Sequence, residues 1–289
     1  EMAQAHARLG VKTTLIEINR IMLGHERRFV EPVHKSLIDD GVNIVENTFV
    51  NRVEKDKADI KLHLSSGKVL LVSDLLIAAG RVPNIEQLGL EQAGVKYNEF
   101  GVTVDRNLRT TNKLVYAIGD IVEGSRFTHT ASYHAGIVLK KILLGLPSKL
   151  RTDHIPQVTY TDPEIASVGI NFEDAVKRFG KKVERSCVNL KTNDRAITDS
   201  KTEGFVEIIL LGRKVIGCSI TSKNAGELIS FWAFVIAKSI KISNINAMVA
   251  PYPTLGEVNK RVVGEYYAPK VFGNKLLKLY VAVIQKILK

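Results

Sequence analysis

Apolar positions along this chain recur with two different periods, and the switches between them outline its elements. Residues 1–9, EMAQAHARL, read as the body of a helix, and Gly10 closes it. Residues 11–17 then form a β-branched strand ending on Glu17. Residues 29–40, FVEPVHKSLIDD, have the 3.6-residue period of an amphipathic helix, with Pro32 expected in its first turn and Gly41 as the stop. Strands are predicted at 42–46 and 48–54, and a hairpin at 60–64 and 68–72, turned at Ser65-Ser66-Gly67. Two uninterrupted apolar runs, 74–80 (DLLIAAG) and 114–118 (LVYAI), predict fully buried strands, with a shorter strand at 101–105. The stretch FTHTASYHAGIVLKKILLG predicts a long helix, and NAGELISFWAFVIAK, apolar nearly all round, a buried one.

Two strand ends carry candidate chemistry. Helix, Gly10, β-branched strand and terminal Glu17 have the order of the second half of a Rossmann-type β-α-β unit. An acid there hydrogen-bonds the adenosine ribose of NAD and repels the extra phosphate of NADP, a charged bond contributing about 1.5–3 kcal/mol. Arg20 lies close enough to complicate that choice, and a solvated strand-end Glu17 is the alternative. The glycine loop that cradles pyrophosphate in such units is absent from these residues. The second end is Gly119-Asp120, closing KLVYAIGD ahead of the long helix. Glycine admits close approach of a ligand to the backbone, and a carboxylate at a strand's carboxyl end is placed to hold a hydroxyl. An ordinary strand-end turn is again the alternative. The small residues Ala78, Ala79 and Gly80 suit a strand end pressed against a cofactor or another backbone.

Composition narrows the classes. The chain has 289 residues, enough for about two domains. No run is long and apolar enough to span a bilayer, which takes about 18 residues. The formal net charge is +11, yet the lysines and arginines are scattered and no nucleic-acid motif appears, so nucleic acid is not an expected partner. Cys187 and Cys218 lack metal-ligand spacing, which fits structural thiols in a reducing, cytoplasmic setting and no bound metal.

The order of motifs resembles a known family. The acid-ended strand, then DLLIAAGRVPN, then GVTVDRNLRTTNKLVYAIGD, then IPQVTYTDPEIASVGINFEDA at 155–175 and PYPTLGE at 251–257 are similar to the class I pyridine nucleotide-disulfide oxidoreductases. These include lipoamide dehydrogenase, glutathione reductase and mercuric reductase; the ending EYYAPKVF points toward mercuric reductase-like members. The resemblance covers nearly all of residues 1–268. It implies an α/β and α+β fold: a partial NAD-binding domain at 1–80, the returning part of an FAD-binding domain at 81–150, a dimerisation domain at 151–269 and a tail at 270–289. It implies FAD and NAD(P) as cofactors, a homodimer, and electron flow from NAD(P)H to FAD to a disulfide to an acceptor. A helix that starts without a cap at Glu1, and the lack of CxxxxC, lead to the expectation of a C-terminal portion whose FAD-binding segment and redox disulfide lie upstream, in the same or a separate chain. The alternative is a redox-silent dimerisation or binding module.

Residue by residue, the resemblance places Glu1 near nicotinamide and flavin, Glu17 on the ribose, Gly80 where backbone passes NAD, and Gly119 with Asp120 on the FAD ribityl chain. Phe127, Thr128 and His129 fall in the stretch that covers the flavin, although a lone His129 also reads as structural. Tyr252 stands where lipoamide dehydrogenases have the catalytic histidine, with Glu257 kept. A histidine titrating near 6.5 can take a proton, whereas a tyrosine titrating near 10 stays protonated at neutrality. Tyr252 is therefore suited to donating a hydrogen bond or touching a soft metal ion, or else it packs in the interface. The tail, KVFGNKLLKLYVAVIQKILK, aligns Phe272, Leu276, Leu279, Val283 and Ile287 on one helical face, with Lys275, Lys278, Lys286 and Lys289 carrying charge. It reads either as a surface helix packed on its own domain or as a contact for anionic lipid.

Overall fold

A computed structural model describes residues 1–288. The chain divides into two compact units, Glu1–Asp74 together with the chain from Asp153 onward, and Leu75–Thr152. Helix α1 (Met2–Arg8) leads to strand β1 (Thr14–Ile16), helix α2 (Arg27–Asp39) and strand β2 (Asn43–Val45), and β1 pairs with β2 in parallel, Leu15 opposite Ile44. Helix α2 buries Phe29, Val30, Val33 and Leu37, the apolar stripe that the periodicity marks. It begins two residues earlier than the sequence suggests. Pro32 therefore falls in its second turn, where it removes one helical hydrogen bond. Strands β3 (Val50–Asp56), β4 (Asp59–Leu64) and β5 (Val69–Val72) form an antiparallel sheet, with the expected hairpin pairing Ile60 to Val72.

In the second unit, β6 (Tyr97–Asn98) and β7 (Gly101–Val102) make a short hairpin, and α3 (Thr128–Leu144) ends at left-handed Gly145. Val95, Val102, Leu108, Ala117, Val122 and Ile137 are its core. The runs 74–80 and 114–118 do not form the strands expected of them. The first has no regular structure and pairs with no strand, with Leu76 and Ile77 exposed; the second makes a single bridge, Arg109 to Tyr116. An apolar run needs a neighbouring strand edge to become a strand; among the described residues none pairs with 74–80, and 114–118 meets only the short segment 108–110, through the bridge and the bonds Thr110 N to Val115 O and Ala117 N to Leu108 O.

From Asp153 onward the chain is an antiparallel lobe. Strands β8 (Gln157–Thr159), β9 (Glu164–Gly169), β10 (Val183–Asn189), β11 (Phe205–Leu211) and β12 (Lys214–Ser222) lie in the order β10-β11-β12-β9-β8. Helices α4 (Phe172–Phe179), α5 (Asp194–Thr198), α6 (Ala225–Ala237), α7 (Ile242–Ile245) and α8 (Glu257–Phe272) accompany them. The core joins Val206, Ile208 and Leu210 of β11 to Ile229 and Trp232 of α6 and to Val258 and Val262 of α8. Trp232 is fully buried and donates through Nε1 to Asn259 Oδ1 at 2.8 Å, satisfying its one polar atom.

This lobe and the first 74 residues share one core. Phe29 meets Phe205 edge-on at 5.9 Å, and Thr221 Oγ1 donates to the Phe29 carbonyl at 2.7 Å. Arg28 pairs with Glu207, which is 1% exposed on β11. Burial pushes the Glu207 carboxyl up, against the pull of Arg28. On Arg28 burial is again the largest single influence and lowers the pKa, but the bonds and charges of Glu207 and Glu26 together outweigh it and raise the pKa. Burial weighs against the charged form of both partners, and it tips the balance only on the carboxylate, the more deeply buried of the two.

The last helix, α9 (Lys275–Ile287), is capped by Asn274 Oδ1, which accepts from the N–H groups of Leu276 and Leu277. It buries no residue fully; Leu277 and Ile284 are half-buried and the rest of its apolar side chains are exposed. Lys289, expected to add charge there, lies outside the described residues. Among the described residues no helix is long and apolar enough to cross a membrane.

Candidate functional site

Glu17 directly follows β1, and its N–H donates to the Val45 carbonyl, so the parallel pair carries it to the strands' carboxyl end. Its Oε1 accepts from Asn19 N at 3.0 Å. Glu46 directly follows β2 and accepts from Ile21 N at 2.7 Å, which ties down the loop after Glu17. Arg20 donates to the His25 carbonyl at 3.1 Å. The carboxyl ends of parallel strands are where α/β sheets bind ligands, and two carboxylates stand there. In the same unit Glu1 is exposed and its Oε1 accepts from Tyr160 N at 2.6 Å.

The second unit brings the other expected cofactor residues onto neighbouring loops. Gly119 is buried with φ +71°, and its N–H donates to His134 Nδ1 at 3.2 Å. A Cβ at this position would lie 3.2 Å from Ala131 Cβ. Only glycine closes the turn comfortably, and the next residue, Asp120, is exposed. His134 was not singled out in the sequence, because nothing local links it to a glycine one helix turn and a loop away. Burial lowers its pKa, in keeping with a neutral ring that accepts through Nδ1. Phe127 precedes α3 and its ring stacks on His129 at 5.2 Å and 10°, while Thr128 is exposed on the first turn. Arg81 Nη1 donates to the Arg126 carbonyl at 2.8 Å, and Arg126 returns the bond to the Arg81 carbonyl. This reciprocal clasp holds the loop after Gly80 beside the segment 126–129. Gly80 has φ +131° and open space where a side chain would be.

Tyr252 sits on an exposed loop before α8, after which Glu257 opens the helix, half-buried. Its Oη donates to Asp194 Oδ2 at 2.9 Å, and that bond raises the phenol's pKa. Asp194 is the first residue of α5. Asn193 before it caps that helix and also donates to the Thr254 carbonyl at 3.2 Å, holding α5 against the Tyr252 loop. Asp194, not Glu257, is therefore the hydrogen-bond partner of Tyr252. The sequence hides this pairing because the two residues lie 58 apart. Cys218 is buried and burial pushes its thiol up, as expected of a structural cysteine, whereas Cys187 on β10 is exposed and does not fit the expectation of a buried thiol.

A parallel β-α-β piece with acids at its open end, followed by an antiparallel lobe with flanking helices, makes this a protein of mixed α/β and α+β class. The chain belongs to the pyridine nucleotide-disulphide oxidoreductases. A model of that family matches residues 1–135, and a model of its dimerisation domain matches 155–263. Mercuric reductase from Bacillus cereus is 31% identical over 270 residues, covering 91% of this chain and 43% of that protein. Dihydrolipoyl dehydrogenase from Geobacillus stearothermophilus is 32% identical over 265 residues, covering 89% and 56%. The crystal structure of LpdA from Mycobacterium tuberculosis superposes with a TM-score of 0.85 at 25% identity, over 93% of this chain and 59% of that one. The HOCl-induced flavoprotein disulfide reductase RclA from Escherichia coli, as a Cu(II) complex, gives 0.82 at 25%, over 91% and 60%. The chain spans about half the length of the curated relatives it matches.

Proposed function

We propose that these residues serve a flavin-dependent NAD(P)H oxidoreductase, contributing most of an NAD-binding domain (1–80), a returning FAD-binding segment (81–150) and a homodimer interface (151–269). The observation that carries the reading is the turn at Gly119-Asp120. It is closed by a buried glycine at left-handed φ, where an added Cβ would press within 3.2 Å of Ala131, and it leaves the next residue, Asp120, exposed. An exposed carboxylate on a rigid turn fits a polyhydroxyl chain such as the ribityl of FAD. Bound FAD would supply two-electron transfer between a nicotinamide and an acceptor. Asp120 would hold its ribityl hydroxyls, and Gly80, Phe127, Thr128 and His129 would border the ring and the nicotinamide. Glu17 would hold the NAD ribose, and Glu1 would lie near the reacting rings.

Tyr252 and Glu257 would complete the partner subunit's site. A phenol whose pKa is raised further by Asp194 donates its proton in a hydrogen bond at neutral pH and does not act as a base. We therefore place the acceptor outside the dithiol and disulfide class, nearer the mercuric reductase-like members.

The protein purified from its own cells is expected to be yellow and to reduce acceptor dyes with NADH. Asp120→Ala is expected to weaken flavin retention about tenfold or more, the loss of a charged hydrogen bond of about 1.5–3 kcal/mol. Colourless, dye-inactive protein would overturn the proposal and favour a redox-silent interface module.

A further inference from the structure

We propose that the apolar face of α9 docks this protein on an anionic lipid bilayer. Leu276, Leu279, Val283 and Ile287 follow the 3–4–4 spacing of one helical face, and they are exposed by 78%, 64%, 48% and 71%. Tyr280 borders that face at 63% exposure. Leu277 and Ile284, seven residues apart on another face, are half-buried. The helix thus turns a narrow seam inward and its broader apolar face outward.

The charge around that face selects the occupant. No Asp or Glu follows Glu265, while Lys275, Lys278 and Lys286 lie along α9. None of these three lysines makes an ion pair among the described residues. Lys270, on the preceding helix, still has an acid in Glu184, whereas α9 carries no acid of its own to offset its lysines. A second copy of the helix would bring lysines against lysines, and an acid-free helix offers nothing to offset the repulsion. An anionic headgroup layer supplies the missing countercharge to the lysines and the apolar medium to the leucines. The tyrosine ring suits the boundary between them.

The test is co-sedimentation of the full chain with vesicles of phosphatidylcholine, with and without phosphatidylglycerol, at low and high salt. The protein is expected to pellet with the phosphatidylglycerol vesicles at low salt and to stay in solution with pure phosphatidylcholine. Leu279→Glu/Val283→Glu should abolish pelleting with the fold unchanged, because both side chains are exposed. Each lysine changed to Gln should weaken partitioning about fivefold. The proposal is overturned if the chain fails to pellet, if the double variant pellets like the parent, or if pelleting ignores lipid charge. It is also overturned if sedimentation without lipid shows a dimer that the double variant dissociates, which would make a second copy the occupant.

Discussion

Replacing Arg28 with Met tests whether α2 and the β11 strand are one cooperative body. Glu207 is 1% exposed, and Arg28 reaches it from a helix 179 residues earlier in the chain. Removing one partner of a fully buried ion pair costs about 3–5 kcal/mol, because the other charge is left desolvated. Two features lower that figure here. The Arg28 side chain is 36% exposed, so part of its attraction is screened, and Arg185 Nη1 remains 3.9 Å from the carboxylate. About 2–3 kcal/mol is the resulting expectation. Trp232, the only tryptophan, is buried in the same lobe, so its fluorescence in a urea titration reports the transition directly.

The pH dependence of that loss carries a sign. Burial already holds the Glu207 carboxyl above its ordinary value, and losing Arg28 raises it further. A raised carboxyl stabilises the fold below the unfolded pKa, about 4.3, and that stability drains away as pH climbs through the folded value. The gap between Arg28→Met and the parent should therefore narrow as pH falls toward about 4.3. Adding Glu207→Gln to Arg28→Met should recover much of the loss, since a neutral amide costs less to bury than an unpaired carboxylate. An unchanged urea midpoint, or a loss of equal size at every pH, would refute the account of this contact.

Other outcomes follow from the two loops of the candidate site. Gly119→Ala should lower the stability of the 75–152 unit by about 1–2 kcal/mol, because its left-handed φ is compounded by the 3.2 Å approach to Ala131. Gly145→Ala, with φ +61° and open space, should lose no more than the conformational share, and equal melting shifts would remove the steric argument. Burial lowers the His134 pKa, so its stability contribution is present above about 6.5 and is lost as pH falls toward the folded value. Amide exchange at Gly119 should speed up below about pH 6.5, and a rate flat across that range after correction for intrinsic exchange would argue against the His134 bond. Tyr252→His should raise NADH-driven lipoamide turnover relative to dye reduction, and robust lipoamide turnover by the unaltered protein would defeat the reading of Tyr252 as a donor.

What could be read from the residues was whatever local spacing encodes. The stripe Phe29, Val30, Val33 and Leu37 has a helical period, so α2 was legible, and the 60–72 hairpin followed from alternation around Ser-Ser-Gly. The family was legible because long motifs such as KLVYAIGD and PYPTLGE keep their order, and both family models agree. Tertiary structure decided the rest. The runs 74–80 and 114–118 have strand composition, but composition records only a demand for burial, and a strand also needs a second edge to accept its hydrogen bonds. Asp194 on Tyr252, His134 on Gly119 and Arg28 on Glu207 join residues whose separation in sequence carries no period. Side-chain pattern sets which face of an element is apolar; only the packed chain determines which distant polar group meets it, because that choice belongs to loop paths and not to any local preference.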